Sequence, residues 1–220
     1  MTPVLPALAV DASTRLLSCA LHTAEGTIER QARANAVEAL APMTDRLLEA
    51  LDLKPSDLGL IVVGIGPGSF IGTRSAVTFA NVLSYAGQTP MATVSGLDSI
   101  AAEVAADEDR LVVAIEAGRG RVYAADYVST AGVLARGGAP RTLENQELRA
   151  FIAGLSGPVR LYGQGFTAFD ALEGTVLARH SGVFPTAGAH LRLQTTHPEL
   201  LEPCGIGAAV AQYSSRDSAP

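Results

Sequence analysis

A chain of 220 residues that is 48% hydrophobic and only 17% charged, with a mean hydropathy of +0.25, must bury much of its surface in its own core or against a partner. A net charge of −6, a pI near 5.2 and the lack of a basic cluster, with Lys54 the only lysine, argue against tight direct nucleic-acid binding. Two cysteines, Cys19 and Cys204, are too few for a disulfide framework. No basic segment followed by an apolar run opens the chain, and Gly87, Gln88, Pro90 and Gly96 interrupt the charge-free stretch 75–97. A cytoplasmic location and no membrane association are therefore expected.

In chain order, Ala7–Val10 and Leu16–Leu21 read as strands joined by an Asp-Ala-Ser-Thr-Arg turn, and Gly26 opens a third strand to Ala32. Apolar residues at helical spacing predict a helix over Val37–Leu51 that Pro42 kinks or shortens. Leu60–Val63 is a buried-strand run, Ser69–Ala86 a helix, and Met91–Val94 a short strand. Ser95 is expected to cap a helix to about Ala106. The charged break 107–110 marks a boundary. Strands then recur at Leu111–Glu116, Arg121–Val128 and Val133–Gly137, followed by a helix near Glu144–Ala153 and a strand at Val159–Tyr162. The strand–turn–strand pair at Asp11 and again at Glu116 points to two α/β halves of similar plan. The expected divisions are 1–106, 107–195 and a partly disordered segment 196–220 whose last residues, 214–220, form a tail.

Three segments draw attention. The first is the turn Asp11-Ala12-Ser13-Thr14. In ATP-binding folds such a turn faces phosphates and their magnesium ion, so Asp11, Ser13 and Thr14 are nucleotide or phosphate candidates. Asp, Ser and Thr also favour ordinary turns, and both readings stay open. The second is Gly64-Ile65-Gly66-Pro67-Gly68-Ser69-Phe70-Ile71-Gly72-Thr73-Arg74, which lacks the glycine spacing and lysine of a phosphate loop. Its plainer reading is a strand-to-helix turn capped by Ser69. The third is the helix beyond it. Ile71, Ala76, Phe79, Ala80, Val82 and Leu83 form one apolar face; Phe70, Arg74, Val77, Asn81, Ser84 and Tyr85 form the other. Arg74 is the only charge between Leu58 and Leu97. Such a helix is buried on both sides, the second side by another chain or by the protein's own second half. His22, His180, His190 and His197 show no metal-ligand spacing and read as surface or loop residues. No catalytic residue and no metal site is predicted.

Together, residues 7–14, 64–74 and Val112-Val113-Ala114-Ile115-Glu116-Ala117-Gly118-Arg119-Gly120-Arg121-Val122-Tyr123 resemble the bacterial TsaB family, also called YeaZ. Leu40-Ala41-Pro42-Met43 with Leu47 and Leu48 is similar to that family's first helix. The resemblance implies an α/β, two-lobed actin-like (ASKHA) fold. It also implies a non-catalytic scaffold role beside a TsaD-like catalytic subunit and a TsaE-like ATPase, in making N6-threonylcarbamoyladenosine at position 37 of ANN-decoding tRNAs. The chain is expected to homodimerise when alone, to meet tRNA only through the complex and to need no cofactor itself, with ATP or ADP and magnesium belonging to the assembled complex. The implied interface is a helical bundle with Pro67, Gly68, Ser69, Phe70, Arg74, Val77, Asn81, Ser84, Met43 and Leu47 toward the partner. The chain departs from the family at Ile71, where threonine is common, and at Glu116-Ala117-Gly118-Arg119. It also lacks the His-x-x-x-His pair of TsaD. The alternative expectation is an ATP-binding phosphotransferase or ATPase of the same fold using Asp11.

Overall fold

The computed structural model describes residues 2–106, 110–165 and 176–212. They fall into two units: residues up to Ser99 with Pro185–Gln212, and Ile100–Phe184. The boundary therefore lies a few residues before the expected one, and the segment from Pro185 returns to the first unit instead of closing the second. The charged break 107–109 and the proposed tail 214–220 lie outside the described residues. Among the described residues no helix is long and apolar enough to cross a membrane.

The first unit is built on a six-stranded sheet ordered β12-β5-β4-β1-β2-β3. Strands β1 (Ala7–Asp11), β2 (Leu17–Thr23) and β3 (Gly26–Ala32) form an antiparallel meander. Strands β4 (Leu60–Gly64) and β5 (Met91–Val94) add in parallel, and β12 (Glu202–Cys204) closes the far edge antiparallel to β5. The inner strands are apolar on both sides, as strands covered by helices on both faces must be.

Helices α1 (Ala36–Glu49) and α2 (Phe70–Gly87) cover one face. Their core partners include Leu8, Val10, Cys19, Ile61 and Val63. Asn35 caps α1 by accepting from Val37 N at 3.0 Å. The helix runs unbroken through Pro42, which lies on its exposed side, so the proline neither starts nor ends it. Ser69 caps α2 by accepting from Gly72 N at 3.2 Å, and left-handed Gln88 ends it.

The opposite face carries α5 (Ala187–Thr196), against β1, β2 and β4. Three side chains take its first amides: Ser18 Oγ accepts from Ala187 N, Glu29 Oε1 from Gly188 N and Thr186 Oγ1 from Ala189 N. A carboxylate here also complements the helix dipole. Helix α3 (Gly96–Val104) follows β5. Ser95 precedes it, but its buried Oγ has no partner, so the expected side-chain cap is not made.

The second unit holds another six-stranded sheet, ordered β11-β10-β6-β7-β8, with β9 also on β7. Strands β6 (Arg110–Gly118) and β7 (Arg121–Thr130) meet at the two-residue turn Arg119-Gly120, both with positive φ as a tight hairpin of this hand requires. Strands β8 (Val133–Arg136) and β9 (Arg141–Glu144) pair with β7. Helix α4 (Asn145–Ala153) covers the sheet through Leu148 and Ile152, and β10 (Val159–Gly163) runs parallel to both β6 and β11 (Val176–Ser181). The order strand–strand–strand–helix–strand of the first unit thus recurs, with β9 inserted. Strands β9, β11 and β12 were not foreseen.

Candidate functional site

The glycine-rich turn after β4 presses against the β1–β2 hairpin. Ser69 N donates to Ser13 O at 2.6 Å. A Cβ on Gly68 would overlap Ser13 O, and one on Gly72 would overlap Ala12 O. These glycines therefore serve close packing of a helix start onto a hairpin. Gly66 has φ +94° and its carbonyl accepts from Gly96 N, fixing the exit of β4 against β5. Pro67 is buried in this turn and Gly68 half-buried, so both shape the turn while Ser69 and Phe70 reach the surface.

Helix α2 presents an outward apolar stripe. Ile71 is 68% exposed, Val82 64% and Tyr85 71%, and they fall at i, i+11 and i+14 along one side. Phe70 is 56% exposed, and the Arg74 guanidinium lies 4.3 Å above its ring centre, a cation–π contact that uses the one charge of this stretch. Val37 of α1, 68% exposed, adds to the apolar surface. No carboxylate lies on α2. Ile71, Thr14, Arg15, Asn35 and Ser69 border a cavity of about 260 Å³ where the starts of both helices meet the hairpin.

Other residues assigned to the partner side lie elsewhere. Val77, Met43 and Leu47 belong to the core. Ser84 is fully buried, donating to Thr89 O at 2.7 Å and accepting from Gly207 N at 3.2 Å. Asn81 is clamped to Ala209 by two bonds of 2.9 Å, accepting from its N–H and donating to its carbonyl. The apolar-plus-polar face expected toward a second chain is thus covered by the protein's own segment 205–212, which also donates Gln212 N to Ile65 O. Within it Ala209 enters the core, while Ile206 and Val210 stay exposed. The correct outward side is rotated from the expected one: it carries Phe70, Arg74, Ile71, Val82 and Tyr85.

The hairpin candidates are also turned inward. Asp11 and Ser13 are completely buried, and Thr14, half-buried, closes its own turn by accepting from Leu16 N. Asp11 meets His190, which sequence reasoning placed on the surface. The two lie 179 positions apart, so no local pattern could pair them. Cys19 is buried beneath α1; loss of solvation pushes its thiol up to about 12, against a weaker lowering by the Thr44 hydroxyl. Burial also raises the Cys204 thiol.

Two units of β–β–β–α–β order, helices on both faces of the first sheet and a glycine-rich turn after β4 packed onto the first hairpin define an α/β protein of the two-lobed actin-like class. The model of the family described as "TsaD: tRNA N6-adenosine threonylcarbamoyltransferase" matches residues 15–143. The TsaB protein of Bacillus subtilis, named for tRNA threonylcarbamoyladenosine biosynthesis, is 34% identical over 131 residues, 58% of this chain and 57% of that one. The TsaB protein of Escherichia coli K12 is 31% identical over 125 residues, 54% of each. The chain spans about half the length of the curated relatives it matches. YeaZ from Pseudomonas aeruginosa superposes with a TM-score of 0.78 at 24% identity, covering 94% of this chain and 98% of that one, and so shares the fold. The chain belongs to the tRNA N6-adenosine threonylcarbamoyltransferase family, in its TsaB/YeaZ branch.

Proposed function

We propose that this chain is a non-catalytic scaffold in the biosynthesis of N6-threonylcarbamoyladenosine at position 37 of ANN-decoding tRNAs. In this reading it holds a TsaD-like catalytic subunit through α1 and α2, works beside a TsaE-like ATPase in the cytoplasm, and pairs with itself when the partner is missing. tRNA is met through the complex, because a chain of net charge −6 repels phosphates on balance. The observation that carries the reading is the outward stripe of α2. Four large apolar side chains, Phe70, Ile71, Val82 and Tyr85, stand exposed on one helix with a single cation and no acid. Aromatic and aliphatic anchors depleted of charge are the composition of an interface core. The names of its relatives support the pathway, and its family model supports a partner of related fold.

Reconstitution tests this directly. The chain, a TsaD-like subunit and a TsaE-like ATPase should together modify tRNA when supplied with a threonylcarbamoyl donor, and the chain alone should not. Val82→Asp should weaken both the complex and the modification. Turnover by the purified chain alone, or a complex indifferent to Val82→Asp and Tyr85→Asp, would contradict the proposal.

A further inference from the structure

In the actin-like fold, a carboxylate in the turn after the first strand is suited to hold the water shell of a nucleotide's metal ion. Here the residues do not fit that group. Asp11 Oδ1 accepts from Ser13 N and Ser13 Oγ, both at 2.8 Å, and Oδ2 lies 2.9 Å from His190 Nε2. His190 Nδ1 lies 2.8 Å from Ser99 Oγ. Asp11 and His190 are 0% exposed and Ser99 1%. A carboxylate only accepts, so Nε2 donates to Oδ2, while Nδ1 pairs with the Ser99 hydroxyl, which can serve a ring nitrogen as donor or as acceptor. In that arrangement no ring nitrogen is left unpaired.

We infer that Asp11 is a clasp for helix α5 and not a ligand for metal-bound water: its carboxylate is fully buried, with the Ser13 donors on one oxygen and an imidazole N–H on the other. Two further observations make this a built arrangement. A Cβ on Gly64 would overlap the Asp11 carboxylate and come 2.8 Å from His190 Nε2, so the neighbouring strand is bare where the pair sits. The start of α5 is separately held by Ser18 and Glu29, which set the register that brings His190 over Asp11. Gly188 is likewise bare against Glu29, where a Cβ would stand 2.7 Å from Oε2. Turning Asp11 to a metal would break the Nε2 bond and strand a buried N–H, which burial strongly disfavours. The clasp lies on the α5 side of the sheet, away from α2, and stands independently of the docking surface.

Imidazole ¹⁵N–¹H correlation of the full chain, with and without millimolar magnesium and ADP or ATP, tests the clasp. The expected spectrum shows His190 protonated at Nε2, protected from exchange and unchanged by nucleotide. Asp11→Asn and His190→Gln should each lower the thermal midpoint by about 5–10 °C, and the double variant should fall little below the worse single one. If the Asp11 variant does not fold, the wild-type spectrum still decides. A His190 ring that exchanges freely, or magnesium–nucleotide binding at micromolar concentration that Asp11→Asn abolishes, would overturn the clasp.

Discussion

Val77 and Val82 lie five residues apart on α2, yet the fold gives them opposite roles. Val77 is 6% exposed within the first unit's core, and Val82 is 64% exposed. Aspartate at Val77 forfeits about 1.5–2 kcal/mol of apolar burial and places an unpaired carboxylate among apolar side chains, for a further several kcal/mol. The sum, roughly 4–6 kcal/mol, rivals the whole stability of an ordinary domain and lowers the thermal midpoint by about 10–20 °C. Aspartate at Val82 changes stability by no more than about 0.5 kcal/mol, or about 1–2 °C. If the stripe meets a partner, the same charge removes an apolar anchor and is itself desolvated. That is about 2–4 kcal/mol, or roughly a 30- to 700-fold rise in Kd. Circular dichroism melting measures the first effect, and calorimetric titration with the TsaD-like subunit the second. A Val77→Asp protein that melts like the wild type yet fails to bind, beside a Val82→Asp protein that binds normally, would refute this assignment of faces.

Three further outcomes follow from the packing. Gly64→Ala, whose methyl would overlap the Asp11 carboxylate, should disrupt the α5 contact and leave little folded protein in a urea titration, whereas Gly26→Ala, in open space but at φ +131°, should cost much less. Asn81→Ala strands the N–H and carbonyl of Ala209, costing about 1–3 kcal/mol, and hydrogen exchange should rise selectively over residues 205–212. Finally, Cys19 stays protonated in the folded chain up to about 12, while the unfolded thiol ionises near its ordinary value of 9.0. The folded state then retains a proton that the unfolded state releases. Stability from this source is full below pH 9 and falls by up to about 1.4 kcal/mol per pH unit as pH rises toward 12. Urea midpoints between pH 8 and 10.5 should drop more steeply for the wild type than for Cys19→Ala.

The strand and helix order up to Val159 was largely legible, because alternation and helical spacing are strong wherever a face packs on a sheet. The Gly-Pro-Gly-Ser-Phe turn was legible too, although its glycines answer to backbone packing on Ser13 and Ala12. The facing of α2 was not. Both sides of that helix are short of charge, and a wheel cannot say which side the chain's own end will cover. Asn81 and Ser84 look like exposed polar residues until the strap at 205–212 arrives to bond them. Helix α5 escaped notice for a related reason: its buried side is made of Ala187, Gly188, Ala189, His190 and Gln194 with only Leu191 and Leu193 among them. Such a helix is buried by fit and polar anchoring, which periodicity does not register. The Asp11–His190 pair joins the two ends of the sequence and becomes visible only once α5 lies on β1.

The docking of α2 is tested most directly by hydrogen–deuterium exchange and side-chain footprinting of the chain with and without the TsaD-like subunit. Protection should fall on Phe70, Ile71, Val82 and Tyr85 and on the Val37 end of α1, with the buried residues Val77 and Ser84 unchanged. Protection confined to the second unit, with the α2 stripe as accessible in the complex as in the free chain, would contradict the account.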